Sequence, residues 1–147
     1  MSGFDPDNPI VDLCARGMMA EGEGRAEEAR ALFLEAWSRS RDDFEAAIAA
    51  HYLARHQSPA DGLHWNQVAL DRALAAGTER TAAMLPSLYL NLGLSQELTA
   101  QPDEAGRAFR RAAEWVSALP DDGYGKMVRR GIEAGLGRVD AAGDASG

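Results

Sequence analysis

The stretch LGLSQELTAQPDEAGRAFRRAA, from Leu92 to Ala113, predicts the end of one helix, a short turn and a second helix. Pro102 suits the first turn of a helix, where an amide hydrogen would have no intrahelical acceptor. Beyond it, apolar residues recur every three or four positions, the spacing of one buried helix face. They are Ala105, Phe109, Ala112, Val116 and Leu119. The stretch therefore predicts a helical hairpin.

The same pattern occurs near the start of the chain. Intervals of seven, five, four and three positions separate Gly93, Ala100, Ala105, Phe109 and Ala112. The same intervals separate Gly17, Gly24, Ala29, Phe33 and Ala36. Small residues at a helix crossing let two backbones approach closely, and we expect the two phenylalanines to fill the space between neighbouring hairpins.

This pattern resembles the tetratricopeptide repeat (TPR), in which a Leu-Gly pair, a small residue at the turn and Ala-x3-Phe follow one another. The best match reads Tyr89, Leu92-Gly93, Ala100, Ala105 and Phe109. An earlier match reads Leu13, Gly17, Gly24, Ala29 and Phe33, with Arg16 where leucine is usual. A third, degenerate match lies between them and has His51, Asn66, Leu70 and Ala73 at the corresponding positions.

The resemblance implies an all-α fold, an antiparallel helix-hairpin array (a TPR-like α-solenoid) of about seven helices. It would contain about three degenerate repeats and a C-terminal capping helix. We expect a flexible N-terminus over residues 1–9, a single domain over 10–137 and a disordered tail over 138–147. A helical-hairpin array of another kind is the alternative at the level of the fold.

Helix boundaries follow from capping and turn residues. Asn8 is expected to cap a first helix that starts at Pro9 and ends near Ala20. Ser40, with Asp43 three positions later, is expected to open a helix that runs to Gln57, followed by a loop at Ser58–Gly62. Thr78 can cap a further helix that is either kinked at Pro86 or begins again near it and runs to about Leu98. The remaining predicted helices are Arg25–Arg39, Leu63–Ala76, one from Pro102, and Tyr124–Gly137.

Composition excludes several classes of function. The formal net charge of -8 disfavours a nucleic-acid partner. Cys14 is the only cysteine, so the chain forms no internal disulfide. The acidic start MSGFDPDNP is unlike a signal peptide, and no apolar run approaches the ~18 to 20 residues of a membrane helix. We expect a cytoplasmic protein, and the use of arginine for every basic residue except Lys126 suggests a bacterial source.

All three histidines lie in HYLARHQSPADGLHW, from His51 to Trp65. A five-residue spacing on one helix separates His51 from His56 by about 140°, which does not suit a shared metal ion. We expect His51 to be buried at a helix crossing, His56 to share a surface with Tyr52, and His64 to open the next helix. No catalytic or phosphate-binding motif occurs, so neither an enzyme, a metal nor a cofactor is expected.

In TPR proteins the first helix of each pair lines a concave groove, and the resemblance places eight candidate binding residues there. They are Tyr52, Arg55, His56, Leu90, Leu94, Glu97, Met18 and Ile48. Such a groove would be largely apolar and would bind a partner helix, a peptide or C-terminal segment, or a second copy of the chain. Trp37 and Trp115 are candidates for a dimer contact.

Three other hypotheses stay open. A tightly wound array would pack these residues against each other and leave no groove. A small-molecule binder or enzyme could use the cluster of Tyr52, Arg55 and His56. The chain could also act only by self-association.

Overall fold

A computed structural model describes the backbone of residues 5–146 and the side chains of residues 5–143. This part of the chain is all-helical, contains no strand, and is built of packed helical hairpins. The predicted all-α fold of packed helical hairpins is therefore confirmed. Its α-helices are α1 (Pro9–Gly22), α2 (Ala26–Arg39), α3 (Asp43–Leu53), α4 (Pro59–Ala76), α5 (Thr78–Thr81), α6 (Leu85–Leu98), α7 (Pro102–Glu114) and α8 (Gly123–Ser146).

The helices form two compact units, the first ending at Thr81 and the second beginning at Ala82. In the first unit, α1 and α2 form a hairpin, α3 packs against both of them, and α4 forms a hairpin with α3. In the second unit, α6 and α7 form a hairpin and α8 packs against both. Each unit therefore contains a hairpin covered by a third helix.

Several predicted helix boundaries are confirmed. Asn8 caps α1, and its side-chain oxygen accepts hydrogen bonds from the amides of Ile10 at 2.8 Å and Val11 at 3.2 Å. Gly77, with φ at +100°, terminates α4, and α6 begins with Pro86 in its first turn. Capping geometry and proline placement thus position these ends as the sequence predicts.

The predicted boundaries of α3 and α4 are wrong. Asp42, not Ser40, caps α3, and its carboxylate accepts a hydrogen bond from the Glu45 amide at 2.8 Å. The predicted loop is helical, because Ser58 caps α4 and Pro59 occupies the first turn. Ser58 takes the extended dihedrals of an N-cap residue. α3 stops at Leu53 rather than Gln57, and His56, with a left-handed backbone, lies in the connection between the two helices.

The C-terminal segment also differs from its prediction, because α8 continues to Ser146 where a disordered tail was expected from residue 138. Arg138 donates two hydrogen bonds to Glu97, and Val139 packs against the buried residues of the second unit. These contacts stabilise another turn of helix beyond Gly137. Residues 1–4 of the predicted flexible N-terminus, and Gly147, lie outside the described residues.

The two hairpins with matching sequence also match in geometry. A Cβ atom added to Gly17 would lie 2.3 Å from Phe33, and one added to Gly93 would lie 2.6 Å from Phe109. Both rings therefore press directly on a glycine backbone in the facing helix, as the interval pattern predicts. The turns match as well, since Arg25 N–H donates to the Ala20 carbonyl and Gln101 N–H donates to the Gln96 carbonyl, both at 2.8 Å.

The correspondence extends to the third helix of each unit. Residues of α1 and α2 correspond to those 76 positions later, as Gly17 does to Gly93. Arg55 binds Glu21 in the first unit, while Arg138 binds Glu97 in the second. Tyr52 stacks on Phe33, while Gly135 lies against Phe109. In both comparisons a residue of α3, or of the connection that follows it, corresponds to the residue of α8 that lies 83 positions later.

A buried carboxylate joins α1 to α3 within the first unit. Glu45 is 3 % exposed, and its carboxylate accepts hydrogen bonds from the Asn8 side chain at 2.9 Å and the Arg41 amide at 2.9 Å. The Arg41 guanidinium adds two more, at 3.2 Å and 2.7 Å. The hydrogen bonds of Arg41 are the main cause that lowers the pKa of Glu45 to about 2.

Candidate functional site

The eight predicted binding residues lie in both units. Met18, Ile48, Tyr52, Arg55 and His56 belong to the first unit, and Leu90, Leu94 and Glu97 belong to the second. Ile48 and Leu90 are buried, so their side chains are not exposed to a partner as the prediction requires. Met18 and Leu94, which occupy corresponding positions in the two hairpins, are exposed.

Arg55 and His56 do not lie on one helix with Tyr52, as a helix running to Gln57 would require. Because α3 ends at Leu53, Arg55 and His56 lie in the connection to α4, and His56 adopts a left-handed backbone with φ at +59°. Both side chains instead reach back to Glu21 on α1. The Arg55 guanidinium is 3.0 Å from one carboxylate oxygen of Glu21, and His56 Nε2 is 2.7 Å from the other.

Three of the predicted residues, Tyr52, Arg55 and His56, line one small pocket of about 180 Å³ between α2 and the end of α3. We call it the α2–α3 pocket. Its lining consists of Ala26, Glu27, Ala29, Arg30 and Phe33 from α2 and of Tyr52, Leu53, Arg55, His56 and Gln57. The cluster expected from the sequence is therefore real, although it faces α2 rather than lying along one helix face.

Aromatic side chains form part of the apolar lining of this pocket. The Phe33 and Tyr52 rings are stacked, with centroids 5.3 Å apart and an interplanar angle of 18°. The Arg55 guanidinium carbon lies 5.6 Å from the centroid of the Tyr52 ring. Phe33 is fixed in turn by Gly17 on α1, so the packing of the hairpin positions the lining of the pocket.

The corresponding space in the second unit is filled. Arg30, Tyr52 and His56 correspond to Gly106, Gly135 and Val139. A Cβ atom added to Gly106 would lie 3.0 Å from a methyl carbon of Val139, so the α8 side chain packs directly on the α7 backbone. In the first unit α3 ends before this point and the chain turns away at His56. The α2–α3 pocket therefore exists because α3 is shorter than α8.

Two charged residues of this site, Glu21 and Arg30, are not among the predicted binding residues. Glu21, which holds Arg55 and His56, lies 76 positions before Glu97, which is one of the predicted binding residues. Extending the repeat alignment to every position would have found it. Glu97 itself binds Arg138 through hydrogen bonds of 3.0 Å and 2.8 Å. Arg30 would have been found by the same comparison, which aligns it with Gly106.

The tryptophans predicted for a dimer contact are both half-buried. Trp37 packs edge-on against Trp65 at a centroid distance of 5.1 Å, and the Arg72 guanidinium lies 5.6 Å from its ring centroid. Arg72 also donates a hydrogen bond to Asp43 at 3.0 Å. Trp37 therefore contributes to packing among α2, α3 and α4 within its own unit.

The other reactive side chains singled out from the sequence are Cys14, His51 and His64, and no hydrogen bond joins any two of them in the part of the chain that the structure describes. Cys14 is buried, and burial raises the pKa of its thiol to about 12, which keeps it protonated at neutral pH. Burial likewise lowers the pKa of His51 to about 4. His51 is half-buried with a buried Nδ1, and His64 is exposed in the second turn of α4 rather than at its start.

No three His, Cys, Asp or Glu side chains converge as metal ligands among the residues from 5 to 143. None of the helices described is both long enough and apolar enough to cross a membrane. No family model, curated protein or solved structure matches this chain.

Proposed function

We propose that this protein is a non-catalytic module that binds a peptide or a protein segment, with the α2–α3 pocket as the site that holds one side chain of the partner. One observation carries the proposal. The same three-helix arrangement occurs twice, and the space between the second and third helices is open in one copy and filled by Val139 in the other. The open copy carries an arginine, an aromatic ring and an imidazole where the other has two glycines and a valine.

The size of the pocket favours a side chain over a free small molecule. Pockets that enclose metabolites or cofactors usually measure about 300 to 1,000 Å³, and this one measures about 180 Å³. That volume suits one medium-sized apolar side chain. Glu21 holds Arg55 and His56 in place, so two members of the Tyr52, Arg55 and His56 cluster form a fixed part of the pocket wall.

The wider proposal is a TPR-like array that acts in the cytoplasm. It is supported by the matching helical hairpins, each with a glycine pressed against a phenylalanine of the facing helix. The solvated outer side of α8, where Lys126, Arg130 and Glu133 are exposed, suits a terminal capping helix. A reducing compartment agrees with Cys14, the only cysteine, being a free thiol. Self-association is the competing proposal, and light scattering distinguishes it by mass.

Filling the pocket is expected to abolish peptide binding. Ala26 is exposed and lines the pocket from the first turn of α2, so Ala26→Phe places a ring in the pocket without disturbing the core. Peptides selected from a displayed library against the wild-type chain are expected to bind Ala26→Phe at least about tenfold more weakly, because loss of a buried anchor costs more than about 1.4 kcal/mol. Fluorescence anisotropy with labelled peptides measures the change.

Ala31→Phe is the matched control, since Ala31 is an exposed alanine of the same helix that does not line the pocket. It is expected to bind the same peptides within about twofold of wild type. Equal affinities for the two phenylalanine variants would show that peptides bind elsewhere. A selection that enriches no peptide would count against the proposal as a whole.

A further inference from the structure

The positions that line the α2–α3 pocket fall into two groups when the two units are compared. Some are shared and have a role in the fold. Phe33 and Phe109 both pack on a glycine, and Arg55 and Arg138 both bind the corresponding glutamate. Glu27 and Asp103 both place a carboxylate in the first turn of a helix, where the helix dipole favours it.

Other positions occur only in the open pocket. Arg30, Tyr52, His56 and Gln57 correspond to Gly106, Gly135, Val139 and Asp140. The fold therefore does not require these side chains, because the second unit forms the same hairpin and the same covering helix without them. The first-unit residues combine a cation, an aromatic ring, an imidazole and an amide around one apolar pocket.

Arg30 is the cation of this group that is left available for a ligand. It is exposed on α2 and makes no ion pair or hydrogen bond with any residue in the described part of the chain. Arg55 and His56, by contrast, are held by Glu21. Glu27, which also lines the pocket, places its carboxylate one helical turn before Arg30, towards the start of α2. The Arg30 guanidinium can therefore bind a ligand carboxylate that follows an apolar anchor on the side of the pocket away from Glu27.

We propose that the α2–α3 pocket selects an internal peptide segment in which an apolar residue is adjacent to Asp or Glu, with Arg30 as the residue that determines this preference. The inference rests on the proposed function. The partner segment is internal because the α2 part of the lining extends from Ala26 to Phe33, about two helical turns or roughly 10 Å. That length exceeds one residue, and Arg30 lies in its middle, so the partner chain continues on both sides of the anchor.

Three hexapeptides with fluorescent labels test the proposal against the full chain by anisotropy. The first is blocked at both ends and contains Leu-Asp at its centre, the second replaces this pair by Leu-Asn, and the third ends in leucine with a free carboxylate. Wild type is expected to bind the Leu-Asp peptide about five- to tenfold more tightly than the Leu-Asn peptide, as a charge-assisted contact at a solvated rim allows. The Leu-Asp peptide should also bind more tightly than the peptide with a free carboxylate.

Variants at Arg30 complete the test. Arg30→Gln is expected to bind Leu-Asp and Leu-Asn peptides within about twofold of each other, and Arg30→Glu to prefer a Leu-Lys peptide. Arg107→Gln, at an exposed arginine of α7, is the matched control and should keep the wild-type preference. The outcomes separate the two proposals.

Two results would overturn the role of Arg30 and leave the proposed function intact. In the first, Ala26→Phe abolishes binding, but wild type binds the Leu-Asp and Leu-Asn peptides equally well. In the second, binding is unchanged in Arg30→Gln. Tighter binding of the free carboxylate overturns the internal segment. Absence of binding by every peptide, including those selected from a library, overturns both proposals.

Discussion

Replacing Phe109 by alanine is expected to lower the free energy of unfolding by about 3 to 5 kcal/mol, the usual cost of removing a fully buried phenylalanine. Phe109 is 0 % exposed and packs within the buried cluster of the second unit. Its ring lies between Gly93 on α6 and Gly135 on α8, so its removal opens a cavity between all three helices of that unit. Urea unfolding followed by circular dichroism at 222 nm measures the change.

Leu98→Ala is the control, because Leu98 is 72 % exposed on α6 and its truncation should change stability by less than about 0.5 kcal/mol. Gly93→Ala tests the contact itself in two backgrounds. With Phe109 present it should destabilise by about 1 to 3 kcal/mol, because the ring has no room to move. With alanine at 109 it should instead stabilise by up to about 1 kcal/mol through helix propensity. If Gly93→Ala changed the stability in the same direction in both backgrounds, the packing of Phe109 on Gly93 would be contradicted.

Glu45→Gln is expected to destabilise the chain at neutral pH by about 2 to 3 kcal/mol, because a buried carboxylate that accepts several hydrogen bonds is replaced by a neutral amide. The pKa of Glu45 is lowered from 4.5 to about 2. Its ionised form therefore adds stability that is fully present above about pH 5 and is lost as the pH falls towards 2. The difference between wild type and Glu45→Gln should shrink by more than half between pH 7 and pH 3.

Glu35→Gln is a suitable control, since Glu35 is exposed and lies 3.9 Å from Arg39. Its effect is expected to stay within about 0.5 kcal/mol at every pH. A difference in stability between wild type and Glu45→Gln that does not change with pH would show that the shape of the Glu45 side chain, and not its charge, stabilises the fold. Urea titrations at several pH values provide the comparison.

Much of the fold could be predicted because its signals are local. Phe33 and Phe109 recur with the same neighbours at the same intervals, and a period of three or four residues directly indicates which face of a helix is buried. The glycines at 17 and 93 then indicate where two helices cross. Both inferences need only spacing, and the structure confirms both.

The end of α3 could not be predicted in the same way, because two local signals compete there. Residues up to Gln57 continue the helical pattern, whereas Ser58 and Pro59 suit both a loop and the start of a new helix. In the structure Ser58 caps α4, α3 stops at Leu53, and His56 turns the chain between them. The pocket depends on this choice, and therefore only its residues, not its geometry, could be expected from the sequence.

Long-range polar contacts were also beyond the reach of spacing. Glu21 meets Arg55 and His56 across more than thirty positions, and Asn8 meets Glu45 across 37. Such pairs depend on how helices pack, and a charged residue on a helix is otherwise most simply interpreted as solvated surface. The resemblance also assigns Ile48 and Leu90 to a groove through their position in the first helix of a pair, whereas both side chains are buried in the structure.

The central claim is that the open copy of the repeated three-helix unit is the binding site and the filled copy is not. Amide chemical shifts of the full chain, recorded by NMR while a library-selected peptide is added, test it within a single sample. The largest shifts are expected in residues 26–33 and 52–57, while the shifts of the corresponding residues 102–109 and 135–140 should stay unchanged. Shifts of similar size in both sets, or shifts confined to other residues, would contradict it.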